Sequence, residues 1–549
     1  MPTHRVENQP PPLENYNLFS SDRGLAEAVA REAPGTPAHE LASLGELAGR
    51  PDVIALGFDA NEHPPELRTH DRFGNRIDEV RFHPAWHALM RYATQAGLAG
   101  APWEDRAPYP HVSRAAKFLV WGQVESGHGC PISMTYAAVP VVEMQTELAA
   151  IWRTPLCRSD YDPGLVPVAS KSAALCGMGM TEKQGGSDVR SNATRAVPAA
   201  LPGPGREYLL TGHKWFCSAP MCDAFVALAQ VPPRGLSCFL VPRVLADGTR
   251  NPFAIVRLKN KLGNRSNASA EVEFDETHGW LIGDEGEGII RIVEMVNHTR
   301  LDCALGSAAL MRAALAQAIH HATYRQAFGS ALIDHPLMQN VLADLALESE
   351  AATALCMRVA RAIDESQRNP QAAALKRIGT ALAKYYVCKR APAVVGEALE
   401  CFGGNGYVEE SIMPRLYREA PLNSIWEGSG NINALDVLRI IGKQPESLDA
   451  WREQIAPARA EPRIAAQEQR LERELADPEP LRARTIAERM ATLWQAALLV
   501  QHAPPAVADA FLASRLDGEW GRTLGTLPAR SAMPAIVERA APLRQPVIA

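Results

Sequence analysis

The stretch "MTEKQGGSDVRSNATRA", Met180–Ala196, decides how the rest of this chain is read. A strand-like run, "ALCGMGMT" (Ala174–Thr181), stops at a charged loop with two adjacent glycines, then passes into hydroxyl and amide side chains. Backbone that must approach a ligand closely needs glycine, and neighbouring hydroxyls offer short neutral hydrogen bonds. A plain surface turn would satisfy the same letters. The surrounding sequence has to choose between the two.

A chain of 549 residues exceeds what one hydrophobic core needs, so several domains or layers are expected. Hydrophobic residues make up 46% and charged residues 21%, as in ordinary globular proteins. The net charge of −6 excludes a globally basic nucleic-acid binder and confines any such role to a local patch. Ten scattered cysteines form neither a CxxC pair nor a metal-ligand spacing, which predicts reduced, mostly buried thiols and no metal. The N-terminal "MPTHRVENQPPPLENYNLF" lacks the apolar stretch of a signal peptide, and no segment is long and apolar enough to span a bilayer. A soluble cytoplasmic protein is the expectation.

Four zones follow one another. Residues 1–165 begin with a Pro-rich arm, expected to wrap over the surface or a neighbour, followed by helical patterns such as "AWHALMRYATQAGL" and "SRAAKFLVWGQVES". Across 166–290 the period changes, and "EYLLTGHKWF", "AFVALAQV", "LSCFLVP" and "AEVEFDE" read as strands. In the last of these Ala270, Val272 and Phe274 alternate with Glu271, Glu273 and Asp275, predicting one buried and one wet face. Across 291–441 long helices return: one runs to Phe328, the next starts with Asp334 as cap and Pro336 in its first turn, and a third ends at Gly403-Gly404. Their Ala-rich faces suit a bundle that a neighbour's helix could complete. The zone 442–549 is helix-like, with thirteen arginines, no lysine and twelve acidic residues from 451 onward.

Helices, a strand domain with a glycine loop, then a bundle: in this order the chain resembles the acyl-CoA dehydrogenase flavoproteins. The resemblance implies an α+β multi-domain fold with an N-terminal helical domain, a middle β-domain, a C-terminal four-helix bundle and, here, an extra C-terminal helical domain. "MTEKQGGSDV" is similar to the family's T-E-x-x-x-G-S-D flavin loop. The match implies that Thr181 and Ser187 bond the isoalloxazine edge and phosphates of FAD, with Met180, Gln184, Gly185 and Gly186 completing the contact. "GHKWFCSAP" resembles the strand that lays an aromatic ring on the flavin and follows it with a hydroxyl, here Phe216, Cys217 and Ser218. "YRQAFGSALIDHPLM" resembles the R-x-x-F-G segment that grips a neighbour's FAD, assigning Arg325 to the diphosphate and Phe328 to packing. Such sharing implies a homotetramer, a dimer of dimers. "ECFGGNGY" is like the Q-x-x-G-G-x-G-[FY] loop, giving Gly403 and Gly404, but Glu400 stands where the family has glutamine.

"NSIWEGSGNIN" is similar to the family's I-Y-E-G-T loop, whose glutamate removes the α-proton of an acyl thioester. That makes Glu427 the catalytic base, with Trp426, Gly428, Ser429 and Asn431 near the flavin and Arg300 and Trp426 on the substrate side. Family members that carry the base elsewhere place it just before an arginine matching Arg300; here that position is Thr299, which cannot serve. Trp426 in place of tyrosine should narrow the acyl pocket. Other readings stay open residue by residue: Phe216 as a core aromatic, Arg325 as a cap on helix carbonyls, Glu427 as a helix-start glutamate.

Ordinary members end soon after the base loop, whereas this chain continues to Ala549. The extension makes it similar to the branch of the family that serves the bacterial adaptive response to DNA alkylation. That resemblance implies weak acyl-CoA dehydrogenase activity and a C-terminal domain that binds double-stranded DNA and shields it from alkylating agents. Arg439, Lys443, Arg452, Arg459, Arg463, Arg482 and Arg484, with Arg489, would contact phosphate, although Glu472, Glu474 and Glu479 interleave. Two alternatives stand beside it. One is a genuine dehydrogenase for a short or branched acyl-CoA that passes electrons to an electron-transfer flavoprotein; the other is a scaffold that keeps FAD only for stability.

Overall fold

A computed structural model describes residues 3–542. The chain forms two compact units and passes between them more than once. One comprises Ala55–Arg106 and Glu125–Thr299; the other takes in the chain up to Ile54, Ala107–Val124 and everything from Arg300 on. The zone 1–165 is therefore divided between both units.

The first unit is built on strands. An antiparallel hairpin, β1 (Glu66–His70) with β2 (Arg76–Arg81), sits in the zone expected to be helical. Its turn is set locally, by the Asp71 carboxylate accepting from the backbone of Phe73 and Asn75. Then come β3 (Cys176–Gly179), β4 (Arg195–Pro198), β5 (Glu207–Ser218), β6 (Ala224–Val231), β7 (Gly235–Pro242), β8 (Phe253–Leu258) and β9 (Ser269–Ile282). Pairing runs β6–β7–β9–β5–β4 and returns to β6 through Arg195 and Gln230, so five strands close into a small barrel. Here β3 joins β6 in parallel and β8 joins β9. Closure leaves few free edges, and Phe225, Phe239, Leu240 and Ile255 on these strands are fully buried. The strand reading at 270–276 holds with one correction. Glu271 is buried rather than wet, because Arg257 Nε and Lys259 Nζ each donate to its carboxylate at 2.6 Å.

The second unit is helical. From Arg300 it includes most of the helix Gly288–Tyr324, then Pro336–Glu365, Pro370–Glu400 and Gly430–Lys443. The first ends at Tyr324, not Phe328. Gln326–Ala327 pairs with Ser330–Ala331 in a minimal hairpin whose turn, Phe328-Gly329, has φ of 52° and 89°. Two left-handed residues close such a hairpin in the sense that strand twist favours. The next helix is capped by His335, not Asp334, with Pro336 in its first turn as expected. Asn369 caps Pro370–Glu400 through its side chain.

The residues after Lys443 complete this unit's core. The helix Ala483–His502 packs on Pro336–Glu365, Pro370–Glu400 and Gly430–Lys443, with Trp494 fully buried against Gly379. Trp451, on Pro445–Ile455, is also fully buried. Arg515 pairs with Asp344 and Glu348, Arg390 joins Glu348 at 3.0 Å, and Trp520 Nε1 donates to Asp344 at 2.9 Å. All ten cysteines are free and buried. A chain ending at Lys443 should therefore lose cooperative unfolding and aggregate, because both tryptophan sites open; size-exclusion chromatography and a thermal melt check this.

Candidate functional site

Each unit carries part of the chemistry. In the barrel unit, β3 feeds the glycine loop, and the loop is tied down by a buried ion pair. The Glu182 carboxylate, 1% exposed, accepts from Lys214 Nζ at 2.7 Å, from Ala193 N at 2.7 Å and from Gln184 Nε2 at 2.8 Å. Lys214 Nζ also donates to the Leu228 carbonyl at 2.7 Å. Burial pushes the Glu182 carboxyl up, but the charge and hydrogen bond of Lys214, with those from Thr194 and Ala193, outweigh it and bring it down to about 2. The loop closes on itself through Glu182 N to Gly185 O and Gly185 N to Glu182 O, at 3.2 and 3.1 Å. At Gly186 a Cβ would strike the Thr181 side chain, so this position must be glycine for Thr181 to keep its place.

Around that anchor the expected flavin contacts fall into place unequally. Phe216 is 49% exposed, with the Lys259 ammonium 4.8 Å from its ring centre, so it is not a core aromatic. Ser187 is exposed, and Met180 and Thr181 are half-buried. Asn192 Nδ2 holds the Met180 carbonyl at 2.9 Å while its Oδ1 is buried without a protein partner. Cys217 corrects the expectation: it is 1% exposed, leaving only backbone for a ligand. Ser218 Oγ lies 3.4 Å from Ser269 Oγ.

In the helical unit the base loop bends sharply. Glu427 has φ of 58° and Gly428 of 95°. Arg300 Nε donates to the Glu427 carbonyl at 2.9 Å, and Asn433 Nδ2 donates to the carbonyls of Gly428 and Ser429. Below it, the buried Lys384 ammonium donates to the Asn423 carbonyl, and Trp426 Nε1 donates to Asn423 Oδ1 at 2.9 Å. Arg300 itself is 8% exposed and is used by the protein: it holds Glu427 and pairs with Asp436 at 2.7 Å instead of standing ready for substrate. Asp436 takes Arg377 at 2.8 Å and Arg439 as well. Burial pushes the Asp436 carboxyl up, but Arg377, Arg300 and Arg439 outweigh this and hold it at about 2. Arg377 and Lys384 escape sequence reading, since nothing in their neighbours points to the base loop; Asn433 ends the base-loop run and Asp436 lies three residues on, but their letters alone gave neither a role. Ser429 and Asn431 are exposed.

Also in the helical unit, Arg325 opens the Phe328 hairpin, and Phe328 is 99% exposed. Gly403, with φ of 59°, and Gly404 have open space where a side chain would stand; Glu400 beside them is exposed. An exposed Phe216 beside a glycine loop and an orphaned Asn192 oxygen fit a flavin; the Arg325 guanidinium, an exposed phenylalanine and an open glycine turn fit a dinucleotide's diphosphate. The expected DNA contacts fare differently. Arg452 pairs with Glu472 at 2.6 Å, Arg459 with Glu468 at 2.6 Å, Arg463 with Glu461 at 2.7 Å, Arg482 with Glu474 at 3.2 Å, and Arg489 with Glu474. These pairs are close to neutral, which lowers the field that they present to phosphate. Lys443 and Arg484 are exposed.

Replacing Lys214 with Met should cost about 3–5 kcal/mol, the scale for stranding a buried charge. The Glu182 carboxyl is depressed in the fold, so its stabilisation is present above its ordinary value of 4.5 and fades as pH falls toward 2. Denaturant melts of parent and K214M between pH 7 and pH 3 should converge.

Comparison with known proteins matches what each unit carries. Residues 8–163 match the adaptive response protein AidB N-terminal domain, 177–277 the acyl-CoA dehydrogenase middle domain, and 286–442 the acyl-CoA dehydrogenase C-terminal domain. The chain is 48% identical to AidB of Escherichia coli (strain K12), covering 94% of this chain and 95% of that protein. It is 32% identical to acyl-CoA dehydrogenase family member 11 of Caenorhabditis elegans, over 80% of this chain and 73% of that one. The crystal structure of Caenorhabditis elegans ACDH-11 with C11-CoA superposes with a TM-score of 0.83 at 28% identity, covering 94% and 92% of the two chains. The acyl-CoA dehydrogenase of Bacillus anthracis complexed with FAD shares the fold, with a TM-score of 0.64 at 19% identity and 83% of each chain covered. With its glycine loop, its aromatic strand and a left-handed glutamate held by arginine, this chain belongs to the acyl-CoA dehydrogenase family, in its AidB-like branch.

Proposed function

We propose that this protein is an FAD-dependent acyl-CoA dehydrogenase-type oxidoreductase in which Glu427 is the base. The observation that carries the reading is the Glu427 backbone, kept left-handed by Arg300 and Asn433 so that one carboxylate stands at the end of a fixed turn. FAD, when bound, supplies a two-electron hydride acceptor. Thr181, Gly185, Gly186 and Ser187 offer it backbone and hydroxyl donors, with Met180, Gln184 and Ser218 beside them, and Phe216 offers a ring face. Arg325, Phe328, Gly403 and Gly404 serve the dinucleotide end, in a homotetramer. The Glu427 carboxylate takes the proton from the carbon next to the thioester carbonyl of an acyl-CoA, a transfer worth typically 10²–10⁴-fold in rate. Trp426, larger than tyrosine and fixed by Asn423, shortens the space for the acyl chain and favours short or branched groups. An electron-transfer flavoprotein is the onward acceptor. Glu427→Gln should lower kcat by roughly 10²–10⁴-fold with flavin content unchanged. Stopped-flow bleaching of the flavin by a short acyl-CoA reads this, and a rate within twofold of the parent's removes Glu427 as base.

A second reading, binding and shielding of double-stranded DNA in a cytoplasmic adaptive response, is favoured by a different observation. Three arginines share the single Asp436 carboxylate, Lys389 and Arg484 flank Gly430, and Lys443 is exposed at the end of the same helix. This surplus of cations, rather than the paired arginines of the extension, is what would meet phosphate. Charge reversal at Lys443 and Arg484 should weaken DNA binding and flatten its salt dependence by about 0.9 for each phosphate left unneutralised. A fluorescence-anisotropy salt titration in which the variant tracks the parent would remove this patch from the interface.

A further inference from the structure

The Pro-rich N-terminal arm does not simply cover a surface. Within the helical unit it is rooted by Leu13, Tyr16, Leu18 and Phe19, all buried, and by Asn15 N and Leu18 N donating to the carbonyls of Gly49 and Gly45 at 2.7 and 3.1 Å. From that root it runs outward to the hairpin that carries Arg325. His320 Nε2 lies 2.7 Å from the Pro11 carbonyl. Asn8 then imitates a paired strand: its Oδ1 accepts from Gln326 N at 2.7 Å and its Nδ2 donates to Gln326 O at 2.8 Å. The Asn8 carbonyl accepts from Arg325 Nη1. Asn8 sits at φ of 57°, a conformation asparagine tolerates better than most residues. One residue on, Gln9 Oε1 accepts from Asn405 Nδ2 of the Gly403–Gly406 turn at 3.4 Å. The His321 ring, stacked on Phe402 at 4.3 Å, links the same turn to the helix from which the hairpin springs.

Thus one short segment touches both motifs assigned to the dinucleotide end of the cofactor. Among the described residues Arg325 has no carboxylate partner; its orienting contact is the neutral carbonyl of Asn8. A guanidinium fixed by a carbonyl keeps its full charge, and its other N–H groups stay available to an anion. A hairpin of two residues per strand has little stability of its own, so a third element is needed to hold it still.

We propose that the arm is a strap and that Asn8 is a positioning residue for FAD, acting through Arg325 to hold the guanidinium where a diphosphate meets it. The inference rests on the flavin reading above. Its test is an equilibrium titration of full-length, flavin-stripped protein with FAD, followed by flavin fluorescence, for the parent, Asn8→Ala, Arg325→Ala and the double variant. Asn8→Ala removes both side-chain bonds to Gln326 and so releases the backbone carbonyl that orients Arg325; it should raise the dissociation constant about tenfold, with the flavin-free thermal midpoint unchanged. In the Arg325→Ala background the same substitution should add nothing, because its effect passes through that arginine. If the parent binds no FAD, the cofactor reading and the strap fall together. If the parent binds and Asn8→Ala either matches it or weakens binding equally with and without Arg325, the strap alone is overturned.

Discussion

A glutamate held left-handed costs about 1–2 kcal/mol of backbone strain, and the candidate base loop depends on that cost being offset. The offset begins far from the base, at Asp436. A carboxylate with 4% exposure cannot stay charged without cations, and three arginines from three helices converge on it. One of them, Arg300, is thereby aimed so that its remaining Nε meets the Glu427 carbonyl. Burial fixes a charge, the charge fixes a guanidinium, and the guanidinium fixes a backbone turn. Arg300 is part of the scaffold of the site for this reason.

The barrel unit repeats the logic at the glycine loop. The letters of its motif have two separate uses. Glu182 and Lys214 form a fully buried pair, while Thr181 is half-buried and Phe216 exposed. Because strand residues alternate, Lys214 and Cys217 point inward where Phe216 points out, with the bulge between Lys214 and Cys217 shifting the register. Half of a binding motif is thus fold, and a substitution in that half reports on stability before it reports on the cofactor.

The C-terminal extension shows what composition can conceal. Its arginines and acids balance in number, and in the structure most of them pair with one another, so charge that reads as a phosphate-binding face is spent within the unit. Trp451 and Trp494 are core. The extension therefore acts first as packing for the bundle helices, and the cations in surplus lie around Asp436 and Gly430, with Arg484 of the extension among them.

Local pattern was enough to place the long helices, the strands at 207–218, 224–231, 235–242 and 269–282, and the two glycine turns, since hydrophobic period and turn chemistry act over a few residues. Glu427, Phe216 and Arg325 stood out only because runs of adjacent letters resemble the family's motifs. Tertiary structure alone decided that the long helix stops at Tyr324, that Glu271 is dry, that Arg300 faces Asp436 and that Asn8 lies on Gln326. Glu271 rests on partners 14 and 12 residues away, Arg300 on one 136 away and Asn8 on one 318 away, while the helix stop rests on the short hairpin that Asn8 holds. A buried charge or an unpaired strand is settled by whatever the fold brings beside it, and that neighbour leaves no mark in the sequence around the residue itself.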